Sequence, residues 1–263
     1  MLYGKKQIDL VSVAEDFFVT STFGDNGQFT TGLINARQTG IGTTTQTVWG
    51  GAGESLIYPF LLAPTAVRIR AGGNAADDVA GSGARVVALD VLDSNWDRQF
   101  ILLSTAGAAA SADSAITINR INGATCILTG TYGGRNVGTI NIETTGGTLL
   151  DVINPDIGFS QQAVFTVPRG FSMKFQNSKL NHDASKTVMS EFMVRGGADI
   201  VTAPFAGTFE FFKVDDSSGD VERVFDASVA LGEKTDVWVN ANVATGTVNV
   251  TFIASYVLKK LAL

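Results

Sequence analysis

Few residues in this chain are of a type that could carry chemistry. His182 is the only histidine, which removes a multi-histidine metal site and leaves a Ser-His-Asp arrangement as the one nucleophilic triad to consider. It lies in Asn177-Ser-Lys-Leu-Asn-His-Asp-Ala-Ser185, which reads as a polar loop, and no Gly-x-Ser-x-Gly elbow occurs to present a nucleophile. A solvated loop histidine follows. Three acidic clusters, Asp77-Asp78, Asp90/Asp93/Asp97 and Asp215/Asp216/Asp220, place carboxylates within loop reach of one another. None has the Asp-x-Asp-x-Asp-Gly spacing that wraps oxygens around calcium, so they read as turn residues capping their own backbone. Trp96 and Trp238 are candidates for surface contact, as a sugar platform or as rigid interface residues. Gly72-Gly-Asn-Ala and Gly133-Gly-Arg-Asn lack the strand and helix context that phosphate binding uses. The sequence therefore indicates neither a catalytic residue nor a metal nor a cofactor.

The composition points the same way. Only 17% of the 263 residues are charged, 45% are hydrophobic, and there are 29 glycines and 17 phenylalanines. A chain of that length can bury a core, and its sparsely charged surface can pack against other chains at modest desolvation cost. An assembly subunit is expected. The formal net charge of −6, with no block of Lys and Arg, disfavours direct nucleic-acid binding, which draws its affinity from clustered cations. Cys126 is the single cysteine, sits in an apolar run and reads as a small buried hydrophobe, consistent with synthesis in a reducing compartment. Met1-Leu-Tyr-Gly-Lys-Lys-Gln7 has positive charges but no apolar core behind them, and no window is long and apolar enough for a membrane helix; neither secretion nor membrane insertion is expected.

The elements that would position these residues are strands. The stretch Asp77 to Trp96 sets the grammar: an aliphatic run from Ala84 to Leu92, broken only by Arg85 and Asp90, lies between a Gly-Ser-Gly turn and an Asp-Ser-Asn cluster. Similar runs occur at Ser55–Leu62, Ala66–Arg70, Arg98–Leu103, Ile116–Ile121, Thr125–Thr131, Gly138–Ile142 and Thr148–Ile153. They resume at Gln162–Pro168, Phe171–Phe175, Val188–Val194, Thr208–Val214, Val221–Phe225, Asp236–Val243 and Gly246–Val257, the last two read as one long hairpin. Asn122-Gly123 is the strongest hairpin turn signal among them. The one helix worth considering, Ala106–Ala115, is weakened by its Gly and Ser content. An all-β antiparallel sandwich or jelly roll is expected, either as two lobes, 53–158 and 159–263, or as one continuous jelly roll over 53–263.

Residues 1–52 look different. A short apolar alternation from Ile8 to Val19 is followed by Gly- and Thr-rich sequence to Gly51. With too few core residues to fold alone, yet with Phe17, Phe18, Phe29, Val48 and Trp49 to bury, the segment reads as an arm. It lies against its own body or reaches a neighbouring subunit, the latter making those five residues inter-subunit anchors.

Several landmarks resemble a family of structural proteins of tailed bacteriophages, common among marine and cyanobacterial phages. They are Asp77-Asp-Val-Ala-Gly-Ser-Gly-Ala-Arg-Val-Val, Leu89-Asp-Val-Leu-Asp-Ser-Asn-Trp, Arg120-Ile-Asn, Asn136-Val-Gly-Thr-Ile, Phe165-Thr-Val-Pro-Arg-Gly and Gly232-Glu-Lys-Thr-Asp-Val, in the family's order over about residues 47 to 257. The Ala-rich Ser104–Asp113 departs from the polar Asn-Gly turn expected in relatives. The resemblance implies a virion component without enzymatic activity, made in the host cytoplasm. Two placements fit it: a cement or decoration protein on the outer head surface, trimeric and bracing the major capsid protein through its arm, or a neck, tail, fibre or knob subunit. A secreted carbohydrate-binding or hydrolytic module is the alternative from another class.

Overall fold

A computed structural model describes residues 29–51, 55–70, 74–131, 133–182, 186–216, 220–224 and 230–261. Among them all regular structure is β-strand. In chain order the strands are β1 (Phe29–Ile41), β2 (Gln46–Thr47), β3 (Val67–Arg70), β4 (Ala84–Asp93), β5 (Arg98–Ser104), β6 (Ile118–Thr129), β7 (Ile140–Thr144), β8 (Leu149–Ile153), β9 (Val164–Thr166), β10 (Phe171–His182), β11 (Val188–Arg195), β12 (Thr208–Asp216), β13 (Asp220–Val224), β14 (Asp236–Val243) and β15 (Val248–Lys260).

Period-two alternation builds the larger of two cores. On β15, Val248, Val250, Phe252, Ala254, Tyr256 and Leu258 are buried while the residues between them are mostly wetter. β11 alternates in the same way through Val188, Ser190, Phe192 and Val194. The sheet β1-β15-β10-β13 packs through these faces on the sheet β12-β11-β14-β2, with β9 also paired to β14. Phe192 lies at the centre, edge-on to Phe175 at 5.0 Å and stacked on Phe212 at 5.0 Å. Each such side chain removed from water stabilises the fold by roughly 1.5–3 kcal/mol.

The smaller core lies between two three-stranded sheets, β3-β7-β8 and β5-β4-β6. Val67, Ile69, Val87, Leu89, Val91, Ile118, Ile121, Ile140 and Ile142 fill it. Turn chemistry closes its hairpins. Gly147, at φ 92°, ends the β7–β8 turn, and Asp93 Oδ1 accepts the backbone N–H groups of Asn95 and Asp97 at 2.8 and 3.0 Å between β4 and β5. A third cluster of Trp49, Tyr58, Leu149, Val152, Val164 and Trp238 joins the two lobes.

The all-β antiparallel sandwich expected from the sequence is what forms, with several local differences. Ser55–Leu62 is irregular, and Ala106–Ala115 is turn and coil. Asn122-Gly123 is not a hairpin turn: β6 runs straight through it with a register shift against β4. The reason is tertiary, since the Asn122 amide clamps Thr166, donating to its carbonyl at 2.9 Å and accepting its N–H at 2.8 Å. β14 and β15 are not a hairpin either, because β14 pairs with β11 and β15 lies between β1 and β10 in the opposite sheet. The larger correction concerns residues 29–51, expected as part of an arm. β1 pairs with β15 from Phe29 to Ile41, and Val48 and Trp49 are fully buried in the protein's own core. The larger lobe therefore draws on both ends of the chain.

Candidate assembly surface

Several of the residues that could carry chemistry are, among the described residues, engaged in holding the fold together. His182 ends β10 rather than sitting in a loop, and is buried at the register position opposite Val250. Asp77 is a buried staple: its carboxylate accepts the N–H of Ala84 at 2.8 Å, of Val137 at 2.9 Å and of Gly138 at 2.7 Å. Asp78 accepts Ala80 N–H at 3.1 Å in the same turn. Asp90 holds Arg98 through two bonds, at 2.9 and 2.8 Å, and Asp97 holds Arg169 at 2.9 and 2.6 Å. Among the described residues no three His, Cys, Asp or Glu side chains come together as a metal site would require. Cys126 is half-buried, and its thiol is pushed up to about 11 by burial, with the Asp77 charge adding to it.

Trp96 and Trp238, candidates for surface contact, are instead each only 7% exposed. Trp96 takes a left-handed φ of 68° in the β4–β5 turn, and its ring lies 5.1 Å from the Arg120 guanidinium. Trp238 packs edge-on to Phe60 at 5.1 Å. Both border an ionic centre between the lobes. Asp236, at the start of β14, is fully buried; Arg120 on β6 donates to it from Nε at 3.0 Å and Nη2 at 3.2 Å, and Thr166 donates its hydroxyl at 2.6 Å. Arg195 on β11 donates to Oδ2 from Nη2 and, at 3.1 Å, from Nε. Arg120 Nη1 reaches the carbonyls of Leu61 at 2.9 Å and Asn119 at 2.8 Å. The Phe60 ring lies against both guanidiniums, 5.2 Å from Arg120 and 4.6 Å from Arg195. Such saturation is what a buried ion pair needs if its desolvation is to be offset. It is structural chemistry, a lock between lobes.

Asp151 on β8 is the other buried carboxyl at this junction. Burial pushes it up to about 7, against the opposing hydrogen bonds of Ser160 and the Val152 N–H. Its Oδ2 has no hydrogen-bond partner.

No family model and no curated protein matches the chain. Among solved structures, a chain of T=1 particles derived from infectious bursal virus is 10% identical, over 89% of this chain and 75% of its own length, with a TM-score of 0.21. A chain of the T13 infectious bursal disease virus particle is likewise 10% identical, covering 89% of this chain and 74% of that one, with a TM-score of 0.21. Likenesses this slight carry no argument about fold or function.

What remains is surface. The register of β5, β4 and β6 puts Phe100 beside Asp90, Leu102 beside Ala88 and Leu128 beside Val86, all on the face turned away from the smaller core. Phe100 is 66% exposed, Leu102 62% and Leu128 57%. Across a groove from Phe100, Leu33 of β1 is also exposed. The Arg98 guanidinium lies over the Phe100 ring at 5.1 Å on the same face. In sequence Phe100-Ile-Leu-Leu103 is an unbroken apolar run, and a run without alternation does not say which face is dry. Of the five expected anchors, Phe29 is half-buried under Lys259, whose Nζ lies 6.0 Å from its ring, and Val48 and Trp49 are core. Phe17 and Phe18 lie outside the described residues.

Proposed function

We propose that this chain is a non-enzymatic structural protein of a tailed-bacteriophage virion, a homotrimeric cement or decoration protein seated on the outer head surface against the major capsid protein. The observation that carries the assembly role is the exposed apolar face of Phe100, Leu102 and Leu128 on a three-stranded sheet. A sheet face covered by a protein neighbour gives up that area to burial, at about 25 cal/mol per Å². The resemblance over about residues 47 to 257 directs the reading to a phage particle, and the net charge of −6 directs the chain away from packaged nucleic acid. With residues 29–51 in the body, the part of the arm available to brace a neighbour lies within residues 1–28. The burial of Trp96 and Trp238 removes the feature that favoured a carbohydrate-binding module.

Cryo-electron microscopy of intact virions tests this. Density for the chain across the head lattice, with the β5-β4-β6 face against a capsid subunit, is the expected result. Density confined to the tail vertex overturns the head placement in favour of a neck or tail subunit, and absence from the particle overturns the structural role altogether.

A further inference from the structure

The outer strands of the sheets are not guarded alike. On β3 the outer edge is closed by the chain after β5: Ser111 N–H donates to the Ile69 carbonyl at 3.0 Å and Ser114 N–H to that of Val67 at 2.7 Å, while the two serine hydroxyls accept the Ile69 and Val67 N–H groups at 2.9 and 3.0 Å. On β6, Cys126 N–H donates to the Gly158 carbonyl and Ser160 N–H to that of Ala124, both at 2.8 Å. β12 has a register shift opposite Phe192 and Met193 and carries Glu210, Lys213 and Asp215. Covering, bulging and charging an edge are the means by which it is kept from pairing with another chain.

β5 has none of these. It is the outermost strand of its sheet, it follows β4 from Arg98 to Ser104 without a register shift, and its one charge, Arg98, is held by Asp90 of the same sheet. The bonds that flank the ladder show which backbone groups face outward. Asp93 N–H donates to the Asp97 carbonyl and Thr105 N–H to that of Arg85, both at 3.0 Å, in the register of the pairs between them. Bonded and non-bonded pairs alternate along an antiparallel ladder, so Gln99, Ile101 and Leu103 bond to β4, and Arg98, Phe100, Leu102 and Ser104 turn their N–H and carbonyl groups to the open side. No other described strand pairs with that side.

The strand reads Arg98-Gln-Phe-Ile-Leu-Leu-Ser104 and is complementary to itself. Laid antiparallel to a second copy with Ile101 on the twofold axis, it sets Phe100 opposite Leu102 and Arg98 opposite Ser104. Apolar meets apolar and no like charges meet. The outward backbone groups of one copy meet those of the other, for about eight main-chain hydrogen bonds. Centring the pair on Phe100 instead sets Leu102 against Arg98. We infer that two copies of this chain join edge to edge through β5, merging their β5-β4-β6 sheets into one. Directly opposed side chains of an antiparallel pair share a face, so the exposed Phe100 and Leu102 of both copies form one surface. The contact stands independently of the virion reading; within that reading it joins one trimer to the next and leaves the sheet face free for the capsid.

The test uses the full chain carrying Cys126→Ser and Ile101→Cys, because position 101 meets its own counterpart as a non-hydrogen-bonded pair at the Cα separation of about 4.5 Å that a disulfide accepts. Oxidation is expected to link two chains at least about tenfold more than in a chain carrying Cys126→Ser and Gln99→Cys, which the same register holds roughly 13 Å or more from its counterpart. As a second measurement, Leu102→Lys in the otherwise native chain charges the open edge without touching the bonds to β4. It is expected to weaken self-association at least about tenfold in sedimentation velocity across protein concentration, with the circular dichroism of the sheets unchanged; if that variant does not fold, the link at 101 decides. No link at 101, equal links at 99 and 101, or self-association indifferent to Leu102→Lys overturns the inference. β5 amides that gain exchange protection only when another virion protein is added overturn it in favour of a foreign strand.

Discussion

The ionic centre between the lobes makes the most quantitative prediction. Asp236→Ala removes the carboxylate that Arg120 faces, and Arg120 has only 2% of its side chain exposed where Arg195 has 21%. Arg195 can turn to water; Arg120 cannot. Its Nη1 keeps the carbonyls of Leu61 and Asn119, but Nε and Nη2 lose their acceptor, and the Thr166 hydroxyl loses its own. Removing one partner of a buried pair costs about 3–5 kcal/mol, mostly the penalty of the stranded charge. Against a typical domain stability of about 5–15 kcal/mol this is roughly a fifth or more. Urea unfolding at pH 7, followed by tryptophan fluorescence, is the assay, with Trp96 and Trp238 reporting from the junction itself. In Arg120→Met with Asp236→Leu the stranded charge is gone, so the double variant is expected to recover at least about 2 kcal/mol relative to the sum of the single changes. A loss below about 1 kcal/mol for Asp236→Ala, or strict additivity in the cycle, refutes the reasoning. If Asp236→Ala does not fold, Asp236→Asn keeps the shape and is read in the same cycle.

Two further outcomes follow from the geometry. Asp151, raised from 3.8 to about 7 by burial, binds its proton more tightly folded than unfolded, so it favours the folded state in acid and loses that contribution as pH rises from near 4 through 7. Asp151→Asn is therefore expected to match the native chain near pH 4 and to exceed it at pH 8 by an amount on the order of 4 kcal/mol, measured as urea midpoints across pH; parallel curves for the two proteins reject this. Gly130, just past β6, has no room for a side chain, because a Cβ there meets backbone atoms of Gly81 and Ser82 that cannot rotate away. Gly130→Ala is expected to lower stability by about 1–3 kcal/mol in a thermal melt, and an unchanged melting temperature sinks the close-approach argument.

The strand pattern was legible where one face of a strand is wet. β15, β11 and β3 announce themselves by alternation, and Arg68 and Arg70 take the outer positions on β3, with Glu143 of the neighbouring strand beside them. Residues 29–51 misled because their burial is only partly written in aliphatic residues. On β1 the buried face is Ile34, Ala36 and Gln38, and Gln38 is tolerated inside because its amide accepts the Gly50 N–H at 2.9 Å and donates to the Thr39 carbonyl at 3.2 Å. Trp49 likewise satisfies its indole N–H on the Ser55 carbonyl at 3.2 Å. A polar residue whose hydrogen bonds are completed inside the fold looks, in sequence, like surface. Asn122-Gly123 failed for the same reason, since the clamp that overrides its turn preference is on Thr166, over forty positions away.

The lock between the lobes was hidden by an assumption inside the alternation rule. On β14 the rule assigns Val237, Val239 and Ala241 to the core and Asp236 and Trp238 to solvent, and the first assignment is right. The second fails because β14 has two dry faces, one against the larger core and one against the smaller lobe, where Trp238 joins Trp49, Tyr58 and Leu149. A strand shared by two lobes cannot show which of its polar residues is wet. The discriminating signal was available only in combination: an Asp beginning a strand at Asp236, an Arg inside a strand run at Arg120, and an Arg ending a strand at Arg195. Low charge content makes each buried charge more informative, since a carboxylate held by two guanidiniums across two lobes fixes their relative placement in a way that apolar contact alone does not. The exposed face of β5-β4-β6 is thereby held at one orientation relative to the larger lobe.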